Sequence, residues 1–194
     1  MSFVVIYANE KGAVIKGDSR MCDDENDIRS EDYQKVCKIN DNLIMGYTGG
    51  VEFTLRVLTE TTFRNYGHSG ITDYVDALRE KIIANIGNKA IKIKGGCFVV
   101  AGIEDGRVRV YVARCNEEIF EDGFVEGISN SKPYLFAIGT CDKSPDVFAK
   151  EIFSATDGTL EERLNNIIYK AADLSKYVNR NISTVCVGED IILS

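Results

Sequence analysis

Polar residues interrupt apolar runs at several places near the start of this chain. Ser2 stands directly before "FVVIYA", and Asp18 follows "AVIKG". Lys35 opens "KVCKI", and Thr48, Gly49 and Gly50 join "LIMGY" to a helical pattern. A hydroxyl is a weak nucleophile unless a base takes its proton. The sole histidine, His68, lies in the polar stretch "RNYGHSG" and reads as a solvated loop residue. Each feature taken singly has a simple explanation. A charged residue at a strand edge is usually solvated, and glycines at a strand-to-helix turn give the backbone its freedom. The early strand leaves two readings of the N-terminus: either it is tied into a sheet, or its free amine is held there for a reason.

The totals narrow the choice of chemistry. The 194 residues fit a single domain spanning 1–194, and a hydrophobic fraction of 44% supplies a sizeable core. A net charge of -7 argues against nucleic acid or an anionic membrane as the main partner. The run Phe3 to Ala8 is too short for a signal sequence, and no stretch approaches the length of a spanning helix. Cys22, Cys37, Cys97, Cys115, Cys141 and Cys186 form no CxxC pair, and several sit in strand-like runs. They read as free thiols in a reducing cytoplasm. With one histidine and no ligand spacing, neither a metal nor another cofactor is expected.

Blocks of strands alternate with blocks of helices. Phe3–Ala8 with Ala13–Gly17, "KVCKI" with "NLIMGY", and "CFVVAG" with "VRVYVA" read as hairpins. Val51, Leu55 and Leu58 recur at helical spacing, as do Ile71, Tyr74, Val75, Leu78, Ile82 and Ile86. Ser144 and Pro145 start a third helix. A Thr159–Glu162 capping box starts a fourth that continues toward Val178, and "STVCVG" and "IIL" close the chain as strands. This order is α+β. Runs such as "FVVI" and "CFVVA" are apolar on both faces, which calls for two sheets packed together with helix pairs outside.

The combination of Ser2, "DSR" at Asp18, "KVCKI" at Lys35 and "LIMGYTGG" resembles the proteasome β-subunit family, the HslV-type peptidases included. "CFVVAGIEDGRVRVYV" and "FAIGT" are similar to later strands of that family. The resemblance implies a four-layer αββα sandwich, the N-terminal nucleophile hydrolase fold. It implies that Ser2, exposed by removal of Met1, is the nucleophile and that its own α-amine, with a pKa near ~8, is the base. Lys35 would favour the alkoxide, Asp18 would orient Lys35, and the Gly49 N–H would face the oxyanion. Thr140 and Ser183 align with hydroxyls around the amine. Lys35 falls a residue later than the family spacing, which implies an insertion in "MCDDENDIRSEDYQ". The family also has an Asp where Arg180 stands here, and Asn181 is the neutral candidate to replace it.

The same alignment puts Met21, Tyr33, Tyr47 and Val51 in the wall of the specificity pocket, which implies small or apolar residues before the scissile bond. It further implies a ring of identical subunits in the cytoplasm, peptides or unfolded proteins as substrates, and an ATPase unfoldase as a possible partner. The apolar residues Phe53 and Val57, off the Val51–Leu55–Leu58 face, and the pair Ile82–Ile83 are candidate ring contacts. The alternatives are a non-catalytic ring subunit or binding module, and a small-molecule amidase on the same fold.

Overall fold

The structure, a computed structural model, describes residues 2–22, 27–62, 70–86, 95–139, 144–188 and 191. The chain opens with β1 (Phe3–Asn9) and β2 (Gly12–Asp18), followed by the short strands β3 (Met21–Cys22) and β4 (Ile28–Ser30). Next come β5 (Val36–Asn40), β6 (Leu43–Gly49), α1 (Val51–Thr62) and α2 (Ile71–Ile86). β7 (Gly96–Glu104), β8 (Arg107–Cys115), β9 (Phe120–Phe124) and β10 (Tyr134–Gly139) follow. The chain continues through α3 (Pro145–Ala155), α4 (Leu160–Leu174) and β11 (Ile182–Gly188).

The three expected hairpins form. Asn9 pairs with Gly12 across the first turn, where the Lys11 N–H donates to Asn9 Oδ1 at 2.9 Å. The turn between β7 and β8 places Asp105 and Gly106 at φ 52° and 69°. Positive φ at both central residues is the twist a two-residue hairpin needs. One sheet has the order β10-β1-β2-β11 and the other β5-β6-β7-β8-β9.

Between these sheets lies an apolar cluster that includes Val4, Ile6, Ile15, Ile44, Val99 and Val110. The opposite faces of the same strands are also covered. Phe3, Val5 and Val14 join Phe148 of α3 and Leu164, Ile167 and Ile168 of α4. Leu43, Met45, Phe98 and Val100 join Phe53 of α1 and Tyr74, Leu78 and Ile82 of α2. This is why the strands read as apolar on both faces: alternate residues serve different clusters, and each full burial contributes roughly 1.5–3 kcal/mol. Gly46 marks where the sheets approach closely, since a Cβ there would lie 2.8 Å from side-chain atoms of both Ile15 and Val4.

The helices follow expectation with exceptions. The Thr159–Glu162 capping box forms with both of its hydrogen bonds, 2.8 and 3.2 Å. Pro145 starts α3, but the Ser144 side chain makes no cap hydrogen bond. α4 ends at Leu174, earlier than the pattern through Val178 suggested. Val178 is instead buried in the segment that follows, packed with the cluster under α4. In α1 the buried stripe is Phe53, Thr54, Val57 and Thr61, while Leu55 is 43% exposed. This corrects the expected Val51–Leu55–Leu58 core face. Phe53 sets the rotation, packing edge-on to Phe98 with ring centroids 6.2 Å apart. Phe53 and Val57 are therefore core residues and are not available as ring contacts. Of the strand expected at "IIL" only Ile191 is described, buried in a turn against the cluster under α4, and the end of the helical pattern toward Tyr66 lies outside the described residues.

Candidate active site

The β1–β2 hairpin brings the two ends of its strands together. Val4 pairs with Gly17, so Asp18 lies beside Phe3 and next to Ser2. Asp18 is fully buried, and its Oδ1 accepts the Phe3 N–H at 2.7 Å. The same oxygen accepts the Lys35 ammonium at 2.7 Å. Oδ2 accepts the N–H groups of Arg20 at 3.0 Å and Asn179 at 3.4 Å. Lys35 is 3% exposed. Burial pulls its ammonium below the ordinary lysine range, and the charge and hydrogen bond of Asp18 act in the opposite direction. The Tyr47 N–H donates to the Lys35 carbonyl at 3.0 Å, which ties the start of β5 to β6.

Ser2 is 6% exposed, and among the described residues its hydroxyl has no hydrogen-bond partner. It lines a small cavity of about 20 Å³ together with Lys35 and Gly49. Gly49 ends β6 at φ 128°, and a Cβ there would stand 2.4 Å from the Gly95 carbonyl oxygen. Only glycine suits that turn. Met21, Tyr33, Tyr47 and Val51 all line the same cavity. The Tyr33 and Tyr47 rings meet edge-on at 6.4 Å, and Tyr47 Oη donates to the Gln34 carbonyl at 2.6 Å. Burial raises the pKa of both phenols, so this wall stays uncharged.

Arg20, Cys22, Thr48 and Thr54 also line the cavity, although the sequence assigns none of them a site role. The Arg20 guanidinium is engaged elsewhere, by Glu31 at 3.0 and 3.1 Å and by the Lys176 carbonyl. A larger cavity of about 610 Å³ lies between Tyr7, Phe153 and Arg163 and contains none of the candidate residues.

Ser183 and Asn181 sit apart from the cavity. Ser183 is half-buried on β11, opposite Gly17. Asn181 is exposed and reaches only the Glu31 carbonyl at 3.4 Å, so it does not stand in for the family carboxylate. It falls just before β11, where the chain emerges to the surface. Arg180 is also at the surface, paired with Asp173. The buried residue of this segment is Asn179, whose N–H meets Asp18. In the sequence it looks no different from Asn181, and no periodic signal separates the two. Thr140 and His68 lie outside the described residues. Among the described residues no group of His, Cys, Asp and Glu could hold a metal ion, and no helix is long and apolar enough to cross a membrane. The described cysteines are free; Cys186 is exposed, unlike buried Cys22 and Cys115.

The arrangement of two sheets, two helix pairs and a strand-end cavity is a mixed α/β fold of the proteasome β-subunit type. Two solved structures share it. Eukaryotic HslV from Trypanosoma brucei superposes with a TM-score of 0.65 at 16% identity, over 96% of this chain and 99% of that one. Anbu, an ancestral beta-subunit from Yersinia bercovieri, gives a TM-score of 0.70 at 13% identity, over 96% of this chain and 82% of that one. No family model and no curated protein matches by sequence. At these identities the likeness establishes the fold alone.

Proposed function

We propose that this chain is an amide-bond hydrolase of the proteasome type, a peptidase with Ser2 as nucleophile after removal of Met1. One observation carries the reading. A nearly buried serine shares a cavity with a buried lysine and a strand-end glycine, and a fully buried aspartate stands behind that lysine. The three apolar clusters support a four-layer αββα sandwich, the architecture of N-terminal nucleophile hydrolases.

The chemistry follows from the residues. The α-amine of a processed Ser2 takes the hydroxyl proton, directly or through a water, and Oγ attacks the substrate carbonyl carbon. Lys35 offsets the charge that develops, Asp18 positions Lys35, and the Gly49 N–H receives the oxyanion. A donor of that kind contributes about 3 kcal/mol in the transition state. The ammonium then gives its proton to the leaving amine, an ester to Ser2 remains, and a water deprotonated by the same amine hydrolyses it. With Met1 in place the amine belongs to the wrong residue and the base is missing.

The cavity has room for about one water-sized group, which favours a small residue before the scissile bond. Its wall of Met21, Tyr33, Tyr47 and Val51 offers an acidic side chain no free cation, because Arg20 is already paired. Leu55 and Ile83, both exposed on the α1–α2 surface, are the contacts proposed for a ring of identical subunits. An ATPase unfoldase would feed such a closed ring in the cytoplasm.

A non-catalytic ring subunit is the second reading. It is favoured by Arg180, which points to the surface where the family places an aspartate. The test is turnover of an uncharged peptide amide by protein whose N-terminus is shown to be Ser2. The peptidase reading expects turnover that Ser2→Ala abolishes. Equal rates in the two proteins, or none in either, would move the assignment to the ring subunit.

A further inference from the structure

Behind the cavity, three stretches of chain are tied by side chains that the proposed chemistry does not use. Asn179 is 7% exposed, and its Oδ1 accepts the Ser19 N–H at 3.0 Å. Its Nδ2 donates to the Glu31 carbonyl at 3.0 Å and to Glu31 Oε2 at 2.6 Å. The Ser19 hydroxyl donates to the same Glu31 carbonyl at 2.5 Å. The Glu31 carboxylate also receives Arg20 Nε at 3.1 Å on both oxygens. The Tyr33 N–H returns to the Ser19 carbonyl at 2.7 Å. Every donor and acceptor of the Asn179 amide is therefore spent on the residues flanking Asp18 or on Glu31. A buried amide fully used in this way fixes the backbone around it.

We propose that Asn179 and Glu31 are positioning residues, a clamp that holds Ser19 and Arg20 so that the Asp18 carboxylate stays aimed at Lys35 and at the Phe3 N–H. The proposal rests on the reading of Asp18 and Lys35 as parts of a hydrolytic site. Asn179 supplies Asp18 with a backbone N–H and no second negative charge. That leaves Lys35 with Asp18 as its only ion-pair partner among the described residues. The charged and titratable groups that act on Lys35 are Asp18, Cys22, Arg20 and Glu31. Of these, only Asp18 hydrogen-bonds it. If Asp18 turns away, a buried ammonium loses its main support and gives up its proton at a lower pH.

The experiment follows the Lys35 side-chain signals by NMR against pH in full-length protein, assigned by their loss in Lys35→Met. Peptide-amide turnover is measured in parallel across the same pH range. In Asn179→Ala the Lys35 midpoint falls by about one pH unit, and the alkaline limb of the pH–rate profile moves with it. Asn179→Ser, which lacks the amide, shifts the midpoint in the same direction and keeps the proposal testable if Asn179→Ala does not fold; Glu31→Ala also removes a charge that acts on Lys35 directly and shifts the midpoint further. A folded Asn179→Ala or Glu31→Ala with an unmoved Lys35 midpoint overturns the clamp. Absence of turnover in the wild type overturns the hydrolase reading instead, and the Lys35 midpoint still decides the clamp.

Discussion

Two lysines are buried among the described residues, and their surroundings differ. Lys16, in the middle of β2, is 1% exposed and reaches across to α4, where Glu161 Oε1 lies at 3.2 Å and Asn165 Oδ1 at 2.8 Å. Its carboxylate partner is half in water. Lys35, at the start of β5, pairs with an aspartate that has no exposure at all. It also lines the cavity that Ser2 lines. Both ammonium groups satisfy the rule that a buried charge must be paired. Lys35 has space beside it for a reacting group. Burial of a lysine therefore does not by itself mark a functional site; the open cavity next to the pair does.

Removing each lysine should separate the two roles. Lys35→Met should lower kcat/KM for a peptide amide by about a thousandfold, the scale of losing a main electrostatic group. Lys16→Met should leave it within about threefold. Comparable losses in the two variants would erase the distinction.

Stability offers the next contrast. Asp18→Asn leaves the Lys35 ammonium buried without its counter-charge, and urea denaturation should show a loss of about 3 kcal/mol. Lys16→Met exchanges a buried ion for an apolar side chain of similar length and leaves Glu161 to the solvent. It should change stability by no more than about 1 kcal/mol in either direction. A larger loss from Lys16→Met would assign the bigger structural role to the α4 pair.

The smallest effect concerns acid. Hydrogen bonds from Arg20 and then Asn179 hold the Glu31 carboxyl below its ordinary value of 4.5. The unfolded chain thus binds more protons there, and Glu31 contributes stability that is present above pH 4.5 and lost as pH falls through its folded pKa. Glu104 shifts in the same direction, through Thr72 and Arg109. In Glu31→Gln the melting temperature should fall less steeply below pH 4.5 than in the wild type, with the Glu104 share of the slope remaining. Parallel curves would show that Glu31 is unconstrained.

The comparison also shows what the sequence conveys. The hairpins and α2 are legible because their apolar periods match their elements, as with Ile71, Tyr74, Leu78 and Ile82. α1 misleads because Val51, Leu55 and Leu58 and the true stripe of Phe53 and Val57 are both apolar, and only contact with Phe98 selects between them. Lys16 looks like an ordinary strand lysine; its burial depends on α4, more than a hundred residues away by chain. Asn179 and Asn181 differ in nothing the sequence displays, yet one is buried beside Asp18 and the other faces solvent. β3 is only two residues long, and β4 and β9 carry too few apolar residues to announce themselves. Ser2, Asp18, Lys35 and Gly49 stand out because each breaks an apolar run at the end of a strand.

The most direct test is covalent. Protein with a confirmed Ser2 N-terminus is treated with an electrophile that reacts with N-terminal hydroxyl nucleophiles, then analysed by intact mass and peptide mapping. The account predicts a single adduct on Ser2, absent from Ser2→Ala and from protein that retains Met1, and much slower to form in Lys35→Met. No adduct on Ser2, or equal labelling of protein that keeps Met1, would contradict it.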